Sequence, residues 1–468
     1  MDTPMPTITK HHAVLELTLE WRHLELKAKF KNPRTSQLEE KTILNDVSGH
    51  ARPGELVVLM GPSGAGKSSL LDCISGRNPA VQGAITVNGQ PWTKSLKRLA
   101  SYVVQDDLFY ETITVYEHLV FQARLRMGKT LTRQQQEQRV TAVMEDLGLT
   151  KCRDALIGGQ RIRGISGGER KRLSFATEVL TNPSLLFVDE PTSGLDSFMA
   201  ETVVEQLQQM ARDGRTVIAT IHQPSSEIFA LFDVLYLLVD GGTAYHGRAT
   251  DAVTYFAGLG LQCPSFMNPS DYLMEQLAIR ESNPDGIERV ERLKQEWKKE
   301  RALLTHDDQP HSFRELQPGD SLANTPIEDT RLGVLQQAQL LCARNMTRTV
   351  RNKIAFRAMI FQALFVSVII GLVFLQLDLT QTGIQNFAGV SFFLSINQTF
   401  SAANPTFVAV PMELPILERE FKAGLYRLGS WYLAKNISEL PLQVLQPVLY
   451  FVPAYLMVGF GGGFLVYL

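Results

Sequence analysis

The spacing of apolar and polar residues divides the chain into regions with different periods. From about residue 15 to residue 60 apolar and polar positions alternate, which predicts strands. Residues 131–181 have a helical pattern, clearest from Arg133 to Leu147. Residues 182–250 return to short apolar runs that alternate with helical segments. This order predicts an α/β domain, within about residues 1–280, that contains a helical subdomain.

A charged region follows. Residues 281–330 are interrupted by proline and glycine, and they include the charged stretch 296–301 and the polar stretch 306–310. We interpret this region as a solvated helix followed by a flexible linker.

The composition changes again after about residue 354. No charged residue occurs in 358–377, in 379–412 or in 440–468. A helix of 20 residues is about 30 Å long, the thickness of the hydrocarbon core of a bilayer. We therefore predict an all-α transmembrane domain over 354–468, with spans near 355–377, 386–410 and 431–459. A pair of buried helices in a soluble protein is the alternative, and three consecutive uncharged stretches disfavour it.

Basic residues next to the first predicted span indicate its orientation. Since cytoplasmic flanks are rich in Lys and Arg, the side before this span is predicted to be cytoplasmic. Residues 331–353 carry arginines on one helix face and apolar residues on another, which predicts an amphipathic helix at the membrane surface. The loop 378–385 would then be external and 413–427 cytoplasmic. The basic residues are Arg344, Arg348, Arg351, Lys353 and Arg357.

Charge and cysteine content exclude some classes of protein. A net charge of −2 gives no basic surface for nucleic acid. The N-terminal residues have no apolar segment typical of a signal peptide. The cysteines have neither metal-binding nor redox spacing, and all precede the first predicted span, so we expect reduced thiols in the cytosol. They are Cys73, Cys152, Cys263 and Cys342.

Residues 61–68 carry the most specific motif. They have the sequence Gly-Pro-Ser-Gly-Ala-Gly-Lys-Ser and directly follow the apolar run 56–60. G-x-x-x-x-G-K-S after a strand is the pattern of a phosphate-binding loop, in which glycines let backbone N–H groups point at a phosphate. We expect Lys67 to bind the β- and γ-phosphates and Ser68 to ligate Mg²⁺. A glycine-rich turn that matches by chance is the alternative, and the flanks and the downstream motifs disfavour it.

A second motif follows the apolar run 185–188. Asp189 and Glu190 come at its end, where parallel sheets place their ligands. We expect Asp189 to hold the Mg²⁺ shell and Glu190 to polarise an attacking water. An acidic pair at a strand end can also be a solvated turn, but the preceding phosphate-binding loop favours a site.

Between these motifs, residues 165–172 have the sequence Ile-Ser-Gly-Gly-Glu-Arg-Lys-Arg. The Ser-Gly-Gly step before a helix offers a hydroxyl and backbone N–H groups to a second anion. The segment resembles the signature of ABC ATPases, with Ile in place of the usual Leu and Glu in place of Gln. Gln105 resembles the Q-loop glutamine, residues 193–196 the D-loop, and His222 the switch histidine. A lone histidine at a strand end is more often structural, but the order of these motifs favours the family.

The resemblance implies an ABC-type P-loop ATPase domain that uses ATP and Mg²⁺. In that family the signature of one domain faces the P-loop of another, so one P-loop and one signature per chain imply a dimer with two composite sites. Phe30 is a candidate for stacking on adenine. The implied catalytic residues are Glu190, His222 and Gln105; the implied nucleotide-binding residues are Gly61, Ser63, Gly64, Gly66, Lys67, Ser68, Ser69, Ser166, Gly167 and Gly168; the implied metal ligands are Ser68, Gln105 and Asp189.

An ATPase followed by a membrane domain resembles the G subfamily of ABC transporters, the White-type half-transporters. Residues 268–272 and 418–420 are further matches. Members have six spans, whereas this chain reaches Leu468 inside the expected fourth, with Gly461–Gly463 expected to end the third.

The resemblance implies an integral membrane protein with a cytoplasmic ATPase, which exports a lipid-like or amphipathic substrate and has a second half-transporter chain and membrane lipid as partners. Two alternatives stay open: a truncated, non-transporting subunit that binds ATP and pairs with a full-length partner, and a soluble ABC ATPase, which the uncharged stretches disfavour.

Overall fold

The computed structural model describes residues 14–31, 38–93, 96–159, 162–279, 284–307, 332–377 and 380–460. The chain forms two compact units. The sheet unit comprises Met1–Asp107, Ala142–Lys151 and Ser166–Glu328, and the helical unit comprises Leu108–Thr141, Cys152–Ile165 and Asp329–Leu468. The second half of the predicted linker and Gly461–Gly463 lie outside the described residues.

Two sheets form the framework of the sheet unit. An antiparallel sheet has the order β2-β1-β4-β5, and the larger sheet has the order β10-β9-β3-β8-β7-β6. In the larger sheet β9, β3, β8, β7 and β6 pair in parallel, and β10 is an antiparallel edge strand. The strands are β1 Leu19–Lys31, β2 Leu38–Ala51, β3 Leu56–Met60, β4 Gln82–Val87, β5 Gln90–Pro91, β6 Ala100–Val103, β7 Leu185–Val188, β8 Thr216–Thr220, β9 Val234–Val239 and β10 Gly242–Arg248.

Helices make up most of the remaining described structure. They are α1 Lys67–Ile74, α2 Val115–Met127, α3 Arg133–Asp146, α4 Gly167–Val179, α5 Ser197–Arg212, α6 Ser226–Phe229, α7 Ala249–Gly258, α8 Pro269–Leu277, α9 Pro284–Asp307, α10 Val334–Arg351, α11 Lys353–Val373, α12 Gln381–Lys422 and α13 Leu428–Val458. The α/β class with helical additions, predicted from the residue pattern, is confirmed.

The parallel strands in the middle of the larger sheet are buried along their whole length. Every residue of β3, β7 and β8 is buried. Strands covered on both faces are apolar throughout rather than alternating, as the runs 56–60 and 185–188 are. The predicted site residues that follow β3 and β7 are therefore attached to strands that are fixed in the core.

The charged segment after residue 280 begins as a helix, but this helix is not solvated all round. In α9, Val290, Leu293 and Trp297 are buried, and the Trp297 ring lies 5.4 Å from that of Tyr245 in β10. An ion pair of 2.8 Å joins Lys298 to Asp46. One apolar stripe thus docks α9 on the sheet unit while its other faces carry the charge.

Helices α10 to α13 form most of the helical unit. Among the described residues, two helices are long and apolar enough to cross a membrane, α11 and α13. They pack together, and the Ser367 hydroxyl donates to the Tyr450 carbonyl at 2.6 Å. The second predicted span falls within α12, which continues unbroken through 413–422; its crossing of a membrane stays a prediction.

The arginines of α10 have a different environment from the one we expected. We predicted that their helix face would lie at the membrane surface, but Arg344 is buried and donates to both Glu420 carboxylate oxygens, at 2.6 and 3.1 Å. Arg348 pairs with Glu413 at 3.0 Å. The carboxylates at the end of α12 explain the difference, because a buried guanidinium needs a partner of opposite charge.

Candidate nucleotide site

The loop after β3 has the backbone geometry of a phosphate cradle. Gly66 has a φ of 102°, which disfavours residues with a Cβ, and a Cβ on Gly61 would collide with the carbonyl oxygen of Leu238. Helix α1 begins directly afterwards, at Lys67. Its free N–H groups and dipole favour an anion at this end.

Lys67 is held back against the loop. It is 7% exposed, and its ammonium donates to the carbonyl oxygens of Gly61 at 2.7 Å and Pro62 at 3.0 Å. Burial lowers its pKa, and the carboxylates of Glu190 and Asp189 oppose that shift. The ammonium therefore lies inside the loop, in electrostatic reach of the acidic pair.

Asp189, which directly follows β7, lies beside this loop. The Ser68 hydroxyl donates to Asp189 Oδ1 at 3.0 Å, and the Thr220 hydroxyl donates to the same oxygen at 2.6 Å. The Tyr102 hydroxyl donates to Oδ2 at 3.4 Å. Burial, and then the Asp189 charge, raise the pKa of Tyr102, so this hydroxyl keeps its proton. The structure thus brings together Ser68 and Asp189, two of the three predicted metal ligands.

Glu190 and His222, two of the three predicted catalytic residues, line an open cavity. The Gln105 side-chain amide donates to Glu190 Oε2 at 2.5 Å. His222 Nε2 lies 3.5 Å from the Ser63 hydroxyl oxygen. The cavity, of about 380 Å³, is lined by Ser63, Glu190, Thr192, Ser193 and His222. Gln105, which we predicted both as a catalytic residue and as a metal ligand, contacts Glu190 in this structure.

These residues fit ATP and Mg²⁺. The P-loop offers a glycine cradle, a buried ammonium and the N-terminus of α1 to phosphate oxygens. The hydroxyl of Ser68 and the carboxylate of Asp189 are hard oxygen ligands, which Mg²⁺ prefers. Ser69 is half-buried in the first turn of α1. Phe30 lies in β1, but its side chain is outside the described ones.

The signature residues start α4. Ser166 is the N-cap: its hydroxyl accepts from the Glu169 N–H, and its own N–H donates to the Glu169 carboxylate at 2.8 Å. Gly167 and Gly168 follow, and a Cβ on Gly168 would collide with the Met199 side chain of α5. The described residues that line the cavity include none of these three.

Sequence reasoning missed four of the described residues of this site, one of which, Thr192, lines the cavity. Tyr102 and Thr220 contact Asp189, and Lys171 of α4, which is 2% exposed, donates to the Gln105 carbonyl at 3.0 Å and pairs with Asp107 at 3.2 Å. Thr220 gave a weak signal, a hydroxyl in an apolar run two residues before His222. Lys171 gave none, since it lies among the consecutive charged residues 169–172.

Comparison with known proteins decides the family. Residues 44–193 match the family described as ABC transporter, and residues 336–468 match the family described as ABC-2 type transporter, as do residues 222–375. The chain is 36% identical over 442 residues to the broad substrate specificity ATP-binding cassette transporter ABCG2 of Sus scrofa, covering 90% of this chain and 67% of that protein. It belongs to the G family of ABC transporters.

Other members of the family are similarly related. The Protein white of Drosophila melanogaster is 37% identical over 461 residues, which cover 95% of this chain and 66% of that protein. ABC transporter G family member 22 of Arabidopsis thaliana is 37% identical over 473 residues, covering 95% and 62%. This G-family chain thus spans about two thirds of the length of the relatives it matches.

A network of charged and aromatic residues lies within the helical unit. Arg351 of α10 donates to both carboxylate oxygens of Glu117 in α2, at 2.6 and 2.7 Å. This guanidinium lowers the pKa of Glu117. The Tyr110 ring lies under Arg348 at 3.7 Å and Arg344 at 4.7 Å. The segment around α2 is therefore tied to α10 by a bidentate ion pair and by stacked guanidinium groups.

Proposed function

We propose that this G-family chain is an ATP-hydrolysing half-transporter that, with a second chain, exports a lipid-like or amphipathic substrate across a membrane. The observation that carries the proposal is the adjacency of Ser68 in the P-loop to Asp189 at the end of β7, with Glu190 beside the same cavity. The membrane-crossing length and composition of α11 and α13 support a transmembrane path.

The chain's own residues have distinct roles in this proposal. Gly61–Ser69 bind the phosphates, and Ser68 and Asp189 would hold Mg²⁺, which when bound neutralises charge that builds up on the phosphate oxygens. Glu190 takes a proton from the attacking water. Its Oε2 now accepts from Gln105, so we expect that hydrogen bond to loosen before Glu190 acts.

His222 and the signature complete the site. His222, next to Ser63 on the cavity wall, is the group within reach of phosphate oxygens from that side. We propose that Ser166 and the N–H groups of Gly167 and Gly168 act on the ATP held by the second chain, because they start a helix and are not among the described residues that line this chain's own cavity. The partner is thus a second half-transporter, identical or related.

The contacts of α2 suggest how hydrolysis reaches the membrane helices. Glu117 on α2 and Arg351 on α10 form a bidentate pair, and α10 is followed after one residue by the membrane-length helix α11. A movement of α2 would therefore pull directly on the start of α11. We propose that this pair transmits the effect of ATP.

Transport by the full chain in liposomes tests the proposal. With ATP inside or outside the vesicles, we expect a fluorescent phospholipid analogue to be moved between leaflets. The Lys67→Ala variant should lose that movement, because it cannot hold the phosphates of ATP. ATP turnover without movement of the phospholipid analogue or of an amphipathic dye would instead favour a non-transporting subunit that needs a longer partner.

A further inference from the structure

Thr220 occupies an unusual position in the site. It is the last residue of β8, it is fully buried, and it precedes His222 by two residues. Its hydroxyl donates to Asp189 Oδ1 at 2.6 Å and accepts from the backbone N–H of Glu190 at 2.8 Å. The one hydroxyl therefore acts as a donor to Asp189 and as an acceptor from Glu190, which are neighbours in the chain.

The bond to Glu190 holds a costly backbone conformation. Glu190 has a φ of 44°, in the left-handed region that residues other than glycine rarely adopt. Such a conformation persists only where surrounding contacts fix it, and it often occurs at functional sites. The Thr220 oxygen accepts from the N–H of this residue, and this bond restricts the direction in which the Glu190 side chain leaves the backbone.

The bond to Asp189 orients its carboxylate. Oδ1 accepts from Thr220 and Ser68, and Oδ2 accepts from Tyr102. Ser68 is exposed, whereas Thr220 is buried beneath the carboxylate. Of the three hydroxyls that contact this carboxylate, that of Thr220 belongs to a fully buried residue, so we expect its bond to remain when Ser68 turns toward a metal.

We infer that Thr220 is a positioning residue for ATP hydrolysis, whose hydroxyl aligns Asp189 for Mg²⁺ and Glu190 for the attacking water at the same time. This inference rests on the proposed roles of those two carboxylates. It adds to the proposed function, because one side chain on a different strand, Thr220 of β8, would set the orientation of both Asp189 and Glu190.

Substitution by Val and by Ser tests the inference in the whole 468-residue chain in detergent. Val keeps the branched shape and removes the hydroxyl, while Ser keeps the hydroxyl. Thr216→Val is the matched control: Thr216 lies in the same strand and is equally buried, but its hydroxyl donates to the Leu17 carbonyl. If Thr220→Val does not fold, Thr220→Cys replaces it, since a thiol is a weak donor and acceptor.

The first readout is binding of a non-hydrolysable ATP analogue as Mg²⁺ is varied. We expect Thr220→Val to raise the Mg²⁺ concentration at half-saturation by about 10- to 100-fold, the usual effect of losing a partner of a metal ligand. Binding without Mg²⁺ should be nearly unchanged. The second readout is turnover at saturating ATP and Mg²⁺, which should fall because Glu190 is no longer aligned, with little change in KM for ATP.

Thr220→Ser should restore both readouts, and Thr216→Val should change neither, although it lowers thermal stability. An unchanged Mg²⁺ requirement in a folded Thr220→Val chain, or equal defects in the Val and Ser variants, would overturn the inference and leave the proposed function standing. If the parent chain itself does not bind the analogue at any Mg²⁺ concentration, the proposed function fails and the inference fails with it.

Discussion

At the scale of single residues, the neighbours Asp189 and Glu190 have different surroundings. The Asp189 carboxylate accepts from three hydroxyls, those of Ser68, Tyr102 and Thr220. The Glu190 carboxylate meets the Gln105 amide at the cavity wall. A fixed carboxylate suits a metal ligand, whereas a base needs an oxygen that can reach water.

The substitution Glu190→Gln tests this division of roles. The amide keeps the size and the hydrogen bonding of the side chain but cannot take a proton. We expect ATP binding to be retained and hydrolysis to fall by roughly 10²- to 10⁴-fold, as measured by phosphate release beside equilibrium binding of ATP. Turnover within about tenfold of the parent would show that another group is the base.

A histidine outside the site links stability to pH. His246 of β10 is half-buried and packs against the rings of Tyr236, at 4.9 Å, and His50, at 4.7 Å. Burial, and then the charges of His50 and Arg52, lower its pKa well below the usual range. The folded chain therefore keeps His246 neutral at a pH where the unfolded chain protonates it.

The sign of the effect follows from proton binding. As pH falls below about 6.5, the unfolded state binds more protons, so this histidine lowers the free energy of unfolding by up to about 1.4 kcal/mol per pH unit. The His246→Phe variant should have a shallower slope between pH 6.5 and 5, measured by denaturant titration at each pH. Equal slopes in the two chains would contradict a neutral His246.

At the scale of elements, sheet order explains why distant motifs meet. β3 pairs with β8, β8 with β7, and β7 with β6, all in parallel. The P-loop, Asp189, His222 and Gln105 follow the carboxyl ends of these four strands, and parallel strands present those ends at one edge. The motifs could be found in the sequence because each ends an apolar run.

Other features could not be predicted, since they depend on which strands and helices become neighbours. Threonine is common in strands, so the weak signal of Thr220 could not be interpreted until β7 was known to lie beside β8. The arginines of α10 fit a membrane-surface helix equally well until Glu420 of α12 was found beside Arg344. An apolar stripe in α9 was hidden among its charges, which favoured a solvated helix.

The ion pair between α2 and α10 gives a prediction at this scale. Arg351→Glu should place two carboxylates together and separate the helices. We expect ATP-driven lipid movement in liposomes to fall about 5- to 150-fold, the range of a typical coupling free energy, while ATP turnover is largely retained. Arg351→Lys should have a smaller effect, because an ammonium cannot form the bidentate pair.

The exposed pair Lys422–Glu418, at the end of α12, provides the control. Lys422→Glu changes charge by the same amount at a solvated position, where ion pairs contribute little, so it should leave lipid movement close to that of the parent. Equal losses in the Arg351→Glu and Lys422→Glu variants would point to net charge, and not to the α2–α10 contact, as the cause.

At the scale of the whole molecule, the proposed mechanism requires two chains. Each chain has one P-loop and one signature. The cavity beside Glu190 is lined by P-loop, D-loop and switch residues, and Ser166 to Gly168 are not among its described lining residues. A nucleotide site that includes both a P-loop and a signature would therefore take its signature from a second copy or from a related chain. In this mechanism both nucleotide sites are shared between the two chains.

Mixing two inactive variants tests whether the sites are shared. Lys67→Ala damages the P-loop half and Ser166→Arg damages the signature half, so each homodimer has two damaged sites and should be inactive. A mixed dimer has one doubly damaged site and one intact site. We expect an equal mixture to regain about a quarter of the parent ATP turnover, because about half of randomly paired dimers are mixed. Turnover that stays absent although cross-linking detects mixed dimers would contradict the account.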